Sequence, residues 1–207
     1  MPKELVLIRH AHAEPHGPGQ SDMDRVLSTI GRKEATEAGV WLKVHAQPPD
    51  LVLCSPAQRT RETLQEVMKA TGDLPVREEA AIYEAGVGTL IGLIENARDA
   101  HVLWLVGHNP ALEQLAAFLS EGRSGEARGM PPSGTVVLRL PDDAAIEPGV
   151  AEPMPRRSRS PPAAMASTAS APTIAPIHRY SKAPIRGRAT ACCCWMTARM
   201  RCWRACT

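Results

Sequence analysis

Apolar and polar positions alternate in two ways over the first 140 residues. Leu5-Val6-Leu7-Ile8 is an unbroken apolar run, as expected of a strand covered on both faces. Residues 31–45 place Ala35, Ala38, Trp41, Leu42 and His45 at helical spacing, with Lys33, Glu34, Glu37 and Lys43 elsewhere on the wheel. Ser28 or Thr29 can cap that helix. Leu51-Val52-Leu53-Cys54 predicts a second buried strand. Ser55-Pro56 then reads as an N-cap followed by proline at the first helical position, opening a helix that buries Leu64, Val67 and Met68 and ends at Gly72. Val76 begins a short edge-like strand, and Leu90, Leu93, Ile94 and Ala97 mark another helix. The scheme repeats with a strand over His101–Val106, a second cap-plus-proline at Asn109-Pro110, and a helical stripe of Leu112, Leu115, Ala116 and Leu119. Thr135–Leu140 closes as a strand. This alternation predicts an α/β fold on a mostly parallel sheet, with ligands bound outside the carboxyl ends of the strands.

Composition divides the chain near residue 150. Residues 1–150 hold 14 Lys and Arg against 21 Asp and Glu, a net −7, whereas residues 151–207 hold 10 against the single Glu152, a net +9. Apolar runs at the predicted elements, such as Val102 to Val106, fall far short of the ~20 residues that span a bilayer, so no membrane association is expected. Lys3 and Glu4 stand where a signal peptide needs its apolar segment, and a cytoplasmic address follows as the expectation. Cys54 is the one cysteine before residue 150, which excludes a disulfide framework there. Four aromatics in that stretch (Trp41, Tyr83, Trp104, Phe118) leave little for base stacking. Nucleic acid is expected as a partner only through the basic tail.

The strand ends carry the candidate chemistry. The first is followed by Arg9-His10, the second by Ser55-Pro56-Ala57-Gln58-Arg59, and the strand at 102–106 by Gly107-His108-Asn109-Pro110. Two histidines and two arginines thus converge on one edge of a sheet in an otherwise acidic domain. A phosphate or similar compact oxyanion is the natural ligand, since guanidinium forks and helix N-termini both favour it. His12 is expected to face solvent by strand alternation, and His16, His45, His101 and His178 have no companions. Arg61 fits the spacing less well than Arg59, and Cys54 reads as buried filler rather than a nucleophile.

These segments resemble the histidine phosphatase superfamily, the phosphoglycerate-mutase-like fold. Leu7-Ile8-Arg9-His10-Ala11 is similar to its Arg-His-Gly motif, and the stretch from Cys54 to Thr63 to its Ser-Pro-x-x-Arg-x-x-x-Thr segment. Val106 to Pro110 resembles the second-histidine segment in the form used by the short SixA-like branch of phosphohistidine phosphatases. Asp24-Arg25-Val26-Leu27-Ser28 with Gly31 is similar to the Asp-x-x-Arg-x-Leu-(Ser/Thr)-x-x-Gly stretch, shortened between Asp24 and Arg25. The resemblance covers about residues 3–140.

It implies a three-layer α/β/α architecture with a mostly parallel central sheet. His10 would be the nucleophile, forming a covalent phosphohistidine that water hydrolyses. Arg9, Arg59 and His108 would hold the phosphoryl oxygens around it, replacing a metal with fixed cations, so that neither metal nor cofactor is needed. Glu84 stands where many members keep the acid that protonates the leaving oxygen. No long insertion separates the second strand from the second-histidine segment, which favours a phosphorylated protein, carrying phosphohistidine, as the substrate. A small phosphate ester is the second reading. A non-catalytic phosphate- or phosphoprotein-binding module is the third.

The histidine phosphatase domain is expected to span 1–147, followed by a low-complexity basic tail, 148–207. A disordered tail binding acidic partners and a reading-frame shift near residues 150–155 both account for that composition, and the frame shift is favoured. Cys192, Cys193, Cys194, Cys202 and Cys206 fit no familiar zinc spacing.

Overall fold

The computed structural model describes residues 2–123, 129–141 and 145–154. The cysteine-rich and basic stretches beyond, with the frame-shift and tail readings attached to them, lie outside the described residues. All described elements belong to a unit spanning Met1–Ala164.

The elements run β1 (Glu4–Arg9), α1 (Thr29–His45), β2 (Leu51–Cys54), α2 (Gln58–Thr71), β3 (Val76–Glu78), α3 (Val87–Asn96), β4 (Val102–Gly107), α4 (Ala111–Glu121), β5 (Thr135–Arg139) and β6 (Glu152–Pro153). Short 3-10 turns occupy Asp22–Asp24 and Ala80–Ile82. The sheet has the order β3-β2-β4-β1-β5-β6. β3, β2, β4 and β1 are parallel, and β5 is antiparallel to both its neighbours.

Strand alternation sorts the core into two layers. Leu5, Leu7, Leu53, Leu103, Leu105, Val136 and Leu138 face one side, where Leu90 and Ile94 of α3 and Leu112, Leu115 and Leu119 of α4 cover them. Val6, Ile8, Val52, Cys54, Trp104, Val106 and Val137 face the other, under Leu42 of α1 and Leu64 and Val67 of α2. Unbroken apolar strands are therefore required because both faces are covered, and the three-layer α/β/α architecture follows. α1 and α2 cross closely at Gly39, where an added Cβ would lie 2.6 Å from the Val67 carbonyl oxygen.

Four local expectations need correcting. α2 begins at Gln58 and not at Pro56, with Ala57 as its N-cap residue, because the Ser55 side chain is engaged elsewhere. α4 begins at Ala111, and the Asn109 amide bonds Glu113 and the Met130 carbonyl rather than capping the helix. His12 is half-buried, its Nδ1 2.7 Å from Glu34 Oε2, because α1 folds back over the end of β1. Regular structure also continues past residue 147: β6 pairs with β5, and Ala151 is buried in the core. A two-residue edge strand containing proline has no periodicity to read.

Candidate active site

Register brings the strand ends together. Arg9 pairs with Gly107 across β1 and β4, and Cys54 pairs with Val106 across β2 and β4. The next residues of the three strands, His10, His108 and Ser55, therefore emerge side by side. The His10 backbone is held from both sides, its N–H donating to Gly107 O (3.1 Å) and its carbonyl accepting from Ser133 N–H (3.1 Å). Ser133 is fully buried at φ 57°, a left-handed conformation that a non-glycine residue holds only where its surroundings over-determine it. Its hydroxyl donates to the Glu34 carbonyl at 3.0 Å.

The two imidazoles lie with ring centroids 5.2 Å apart. His10 Nδ1 sits 2.7 Å from the Ala11 carbonyl oxygen, a group that only accepts, so Nδ1 carries the proton. In the neutral ring Nε2 then bears the free lone pair. Burial pushes the His10 pKa down to about 4, assisted by the charges of Arg59, Arg9 and Arg25 and opposed by the bond to Ala11. His108 is also pushed below the usual imidazole range, first by burial and then by His10 and Arg59. Its Nε2 is 2.8 Å from Ser55 Oγ, and the edge of Tyr83 meets its ring at 5.5 Å.

Arg59 enters from the first turn of α2 with its guanidinium 5.8 Å from the centre of the Tyr83 ring. Its Nη1 donates to the Asp22 carbonyl (2.6 Å) and its Nη2 to Asp22 Oδ2 (2.9 Å). The same Oδ2 accepts from the Tyr83 hydroxyl at 2.7 Å, and Oδ1 accepts from Arg25 Nη1 at 2.9 Å. The Tyr83 hydroxyl, Arg25 and Arg59 together hold the Asp22 carboxyl well below the usual carboxylate range. One turn further along α2, Thr63 Oγ1 donates to the Arg59 carbonyl (2.6 Å) and accepts from Ala11 N–H (3.0 Å). The Arg-x-x-x-Thr spacing thus ties the helix to the loop after His10. Glu62 anchors the loop before α1 by accepting from Leu27 N–H (2.8 Å) and Arg32 Nη2 (2.8 Å).

Arg9 donates from Nη1 to the Met130 carbonyl, and its charge also acts on both histidines. It borders an open groove of about 600 Å³ lined by Asn109, Pro110, Glu113, Gly129, Met130 and Pro131. Arg61 pairs with Glu78 on the surface, leaving Arg59 as the arginine of that segment whose charge acts on both histidines. Cys54 is buried, and burial raises its thiol pKa to about 12, as suits a core residue. Glu84 is exposed, on the same turn as Tyr83, whose ring meets His108 edge-on. Among the described residues no group of three or more His, Cys, Asp and Glu is placed to hold a metal ion.

Sequence reasoning passed over Asp22, Tyr83 and the pairing of Ser55 with His108. For Asp22 a signal existed: it lies three residues before Arg25, so Asp22-x-x-Arg25-x-Leu27-Ser28-x-x-Gly31 fits the motif without the shortening that Asp24 required. Gly31 is where the motif meets the site loop, since an added Cβ would lie 2.0 Å from the His12 carbonyl oxygen.

A family model described as the histidine phosphatase superfamily (branch 1) matches residues 5–125. The chain belongs to this superfamily. An uncharacterized protein of Mycobacterium tuberculosis is 37% identical over 154 residues, covering 70% of this chain and 94% of that one. A solved structure from Agrobacterium tumefaciens, named as a phosphohistidine phosphatase SixA, superposes with a TM-score of 0.67 at 30% identity, covering 76% of this chain and 99% of that one. The 2,3-bisphosphoglycerate-dependent phosphoglycerate mutase of Mesorhizobium japonicum is 34% identical over 110 residues, 50% of this chain and 52% of the mutase. No helix among the described residues is long and apolar enough to cross a membrane.

Proposed function

We propose that this histidine phosphatase takes a phosphoryl group onto His10 and passes it to water, and that its substrate is phosphohistidine carried by a protein. The observation that carries the reading is the His10 ring, whose Nδ1 proton is committed to the Ala11 carbonyl and whose Nε2 is held uncharged, with its lone pair free, beside three arginines. Nε2 attacks phosphorus in line as the bond to the leaving nitrogen breaks, and the departing imidazole takes up a proton. Water then attacks phosphorus, the P–N bond to His10 breaks, and inorganic phosphate leaves. Arg9, Arg59 and His108 bind the equatorial oxygens, whose charge rises in a loose transition state. No metal has a part in this scheme. Glu84 is the proton donor for an ester oxygen, a demand that a leaving ring nitrogen makes less strongly.

The substrate reading is supported by the extent of the match. The chain spans almost the whole of the SixA-named protein but about half of the mutase. Between β2 and β4 stand only α2, β3, one turn and α3, so the site opens beside a groove that a protein surface can approach.

The test compares kcat/KM for a phosphohistidine-bearing phosphotransfer protein with that for an aryl phosphate, using the full chain and His10→Ala. A strong preference for the phosphoprotein, lost in His10→Ala, is expected. A preference for small esters would favour the second substrate reading. Undiminished turnover in His10→Ala would refute the mechanism, and no turnover of either by the wild type would leave the non-catalytic binding module.

A further inference from the structure

Asp22, which binds Arg59, has no part in the proposed reaction. Four donors converge on this one residue: both terminal nitrogens of Arg59, Nη1 of Arg25 and the Tyr83 hydroxyl. Two guanidinium groups and a hydroxyl around a carboxylate are also the donor set that binds a phosphoryl group. The two partners differ in burial. The Arg59 side chain is 8% exposed and locked by α2, whereas that of Asp22 is 44% exposed on a three-residue turn. Arg59 is therefore the fixed member of the pair and Asp22 the member free to swing into solvent.

We infer that Asp22 is an internal counter-anion, whose carboxylate holds Arg59 Nη2 in place and yields it, by side-chain rotation, to an arriving phosphoryl group, while Nη1 stays on the Asp22 backbone carbonyl. The inference rests on the reading of Arg59 as a phosphoryl ligand. Asp22 acts through Arg59 and is a positioning residue.

Two consequences follow. A ligand must bring enough negative charge to displace a carboxylate, so weakly charged anions are excluded. After turnover the carboxylate competes with product phosphate for the same donors and keeps free phosphate from saturating the site. Removing its charge while keeping an oxygen acceptor should strengthen anion binding, because a like charge beside the ligand has gone and the donors retain a weaker partner.

The test is Asp22→Asn in the full chain, with inorganic phosphate as the probe in calorimetry and as a product inhibitor. Phosphate should bind about tenfold more tightly in the variant, and KM should fall with it, as expected for a partly solvent-screened charge. A purely structural role would leave phosphate affinity unchanged or weaker, and either result in a variant with the wild-type melting temperature overturns the inference. Arg59→Gln separates the two readings. If it retains wild-type phosphate affinity, the site assignment itself fails. If it loses phosphate while Asp22→Asn gains none, only the role of Asp22 fails. Should Asp22→Asn not fold, the Asp22 carboxyl carbon resonance of the wild type decides. It should move as phosphate saturates the protein, and a resonance that stays put refutes the displacement.

Discussion

The protonation state of His10 offers the most direct test of the site. A ring with a midpoint of about 4 is about 90% neutral at pH 5, whereas one at the ordinary value of about 6.5 would be about 3% neutral there. The difference corresponds to about 3 kcal/mol of preference for the neutral form. Burial is its main cause, and Arg59, Arg9 and Arg25 add to it. Nitrogen-correlated NMR of the ring should show His10 neutral at pH 5, with the proton on Nδ1 and a free lone pair on Nε2. Arg59→Gln should raise the midpoint only modestly, since it leaves the burial intact. The acid limb of kcat/KM should lie near pH 4 once ionisation of the substrate phosphate is allowed for. A wild-type midpoint above pH 6, or the proton found on Nε2, would refute the account of the nucleophile. The sign for stability is also determined. A histidine whose folded value lies below its unfolded value binds more protons when unfolded, so stability should fall as pH drops from about 6.5 towards 4.

Two further outcomes are expected. Ser55→Ala removes the hydroxyl partner of His108 Nε2, and kcat/KM should fall about fivefold, as for one neutral hydrogen bond, with little change in melting temperature. Gly31→Ala drives a methyl group into the His12 carbonyl, and denaturant unfolding should show a loss of about 2–3 kcal/mol.

The sheet was legible because its strands are covered on both faces, so Leu5–Ile8, Leu51–Cys54 and Val102–Val106 had to be unbroken apolar runs. Their ends located His10, Ser55 and His108 without any contact being known, since parallel register carries strand ends to the same edge. Helix starts were less legible. Ser55-Pro56 and Asn109-Pro110 have cap chemistry, but Ser55 Oγ goes to His108 and the Asn109 amide to Glu113 and Met130. A polar side chain beside a site has two claims on it, and local sequence records only one. Tyr83 was hidden because its part is set by the 3-10 turn before α3, which no periodicity marks.

The same burial that makes the site work also explains its charges. A histidine can attack phosphorus only while uncharged, yet the phosphoryl group has to be gathered by cations, and cations beside an exposed imidazole would act through solvent that weakens them. Enclosing His10 between Gly107 and Ser133 strengthens both effects, because low polarity disfavours the imidazolium and lets Arg9, Arg25 and Arg59 act at full reach. Such a concentration of positive charge is unfavourable unless an anion is near, and Asp22 supplies one from a half-exposed turn, as the proposed exchange for a phosphoryl group requires. In the proposed reaction, a neutral nucleophile, fixed cations and a displaceable carboxylate are thus three answers to one electrostatic problem.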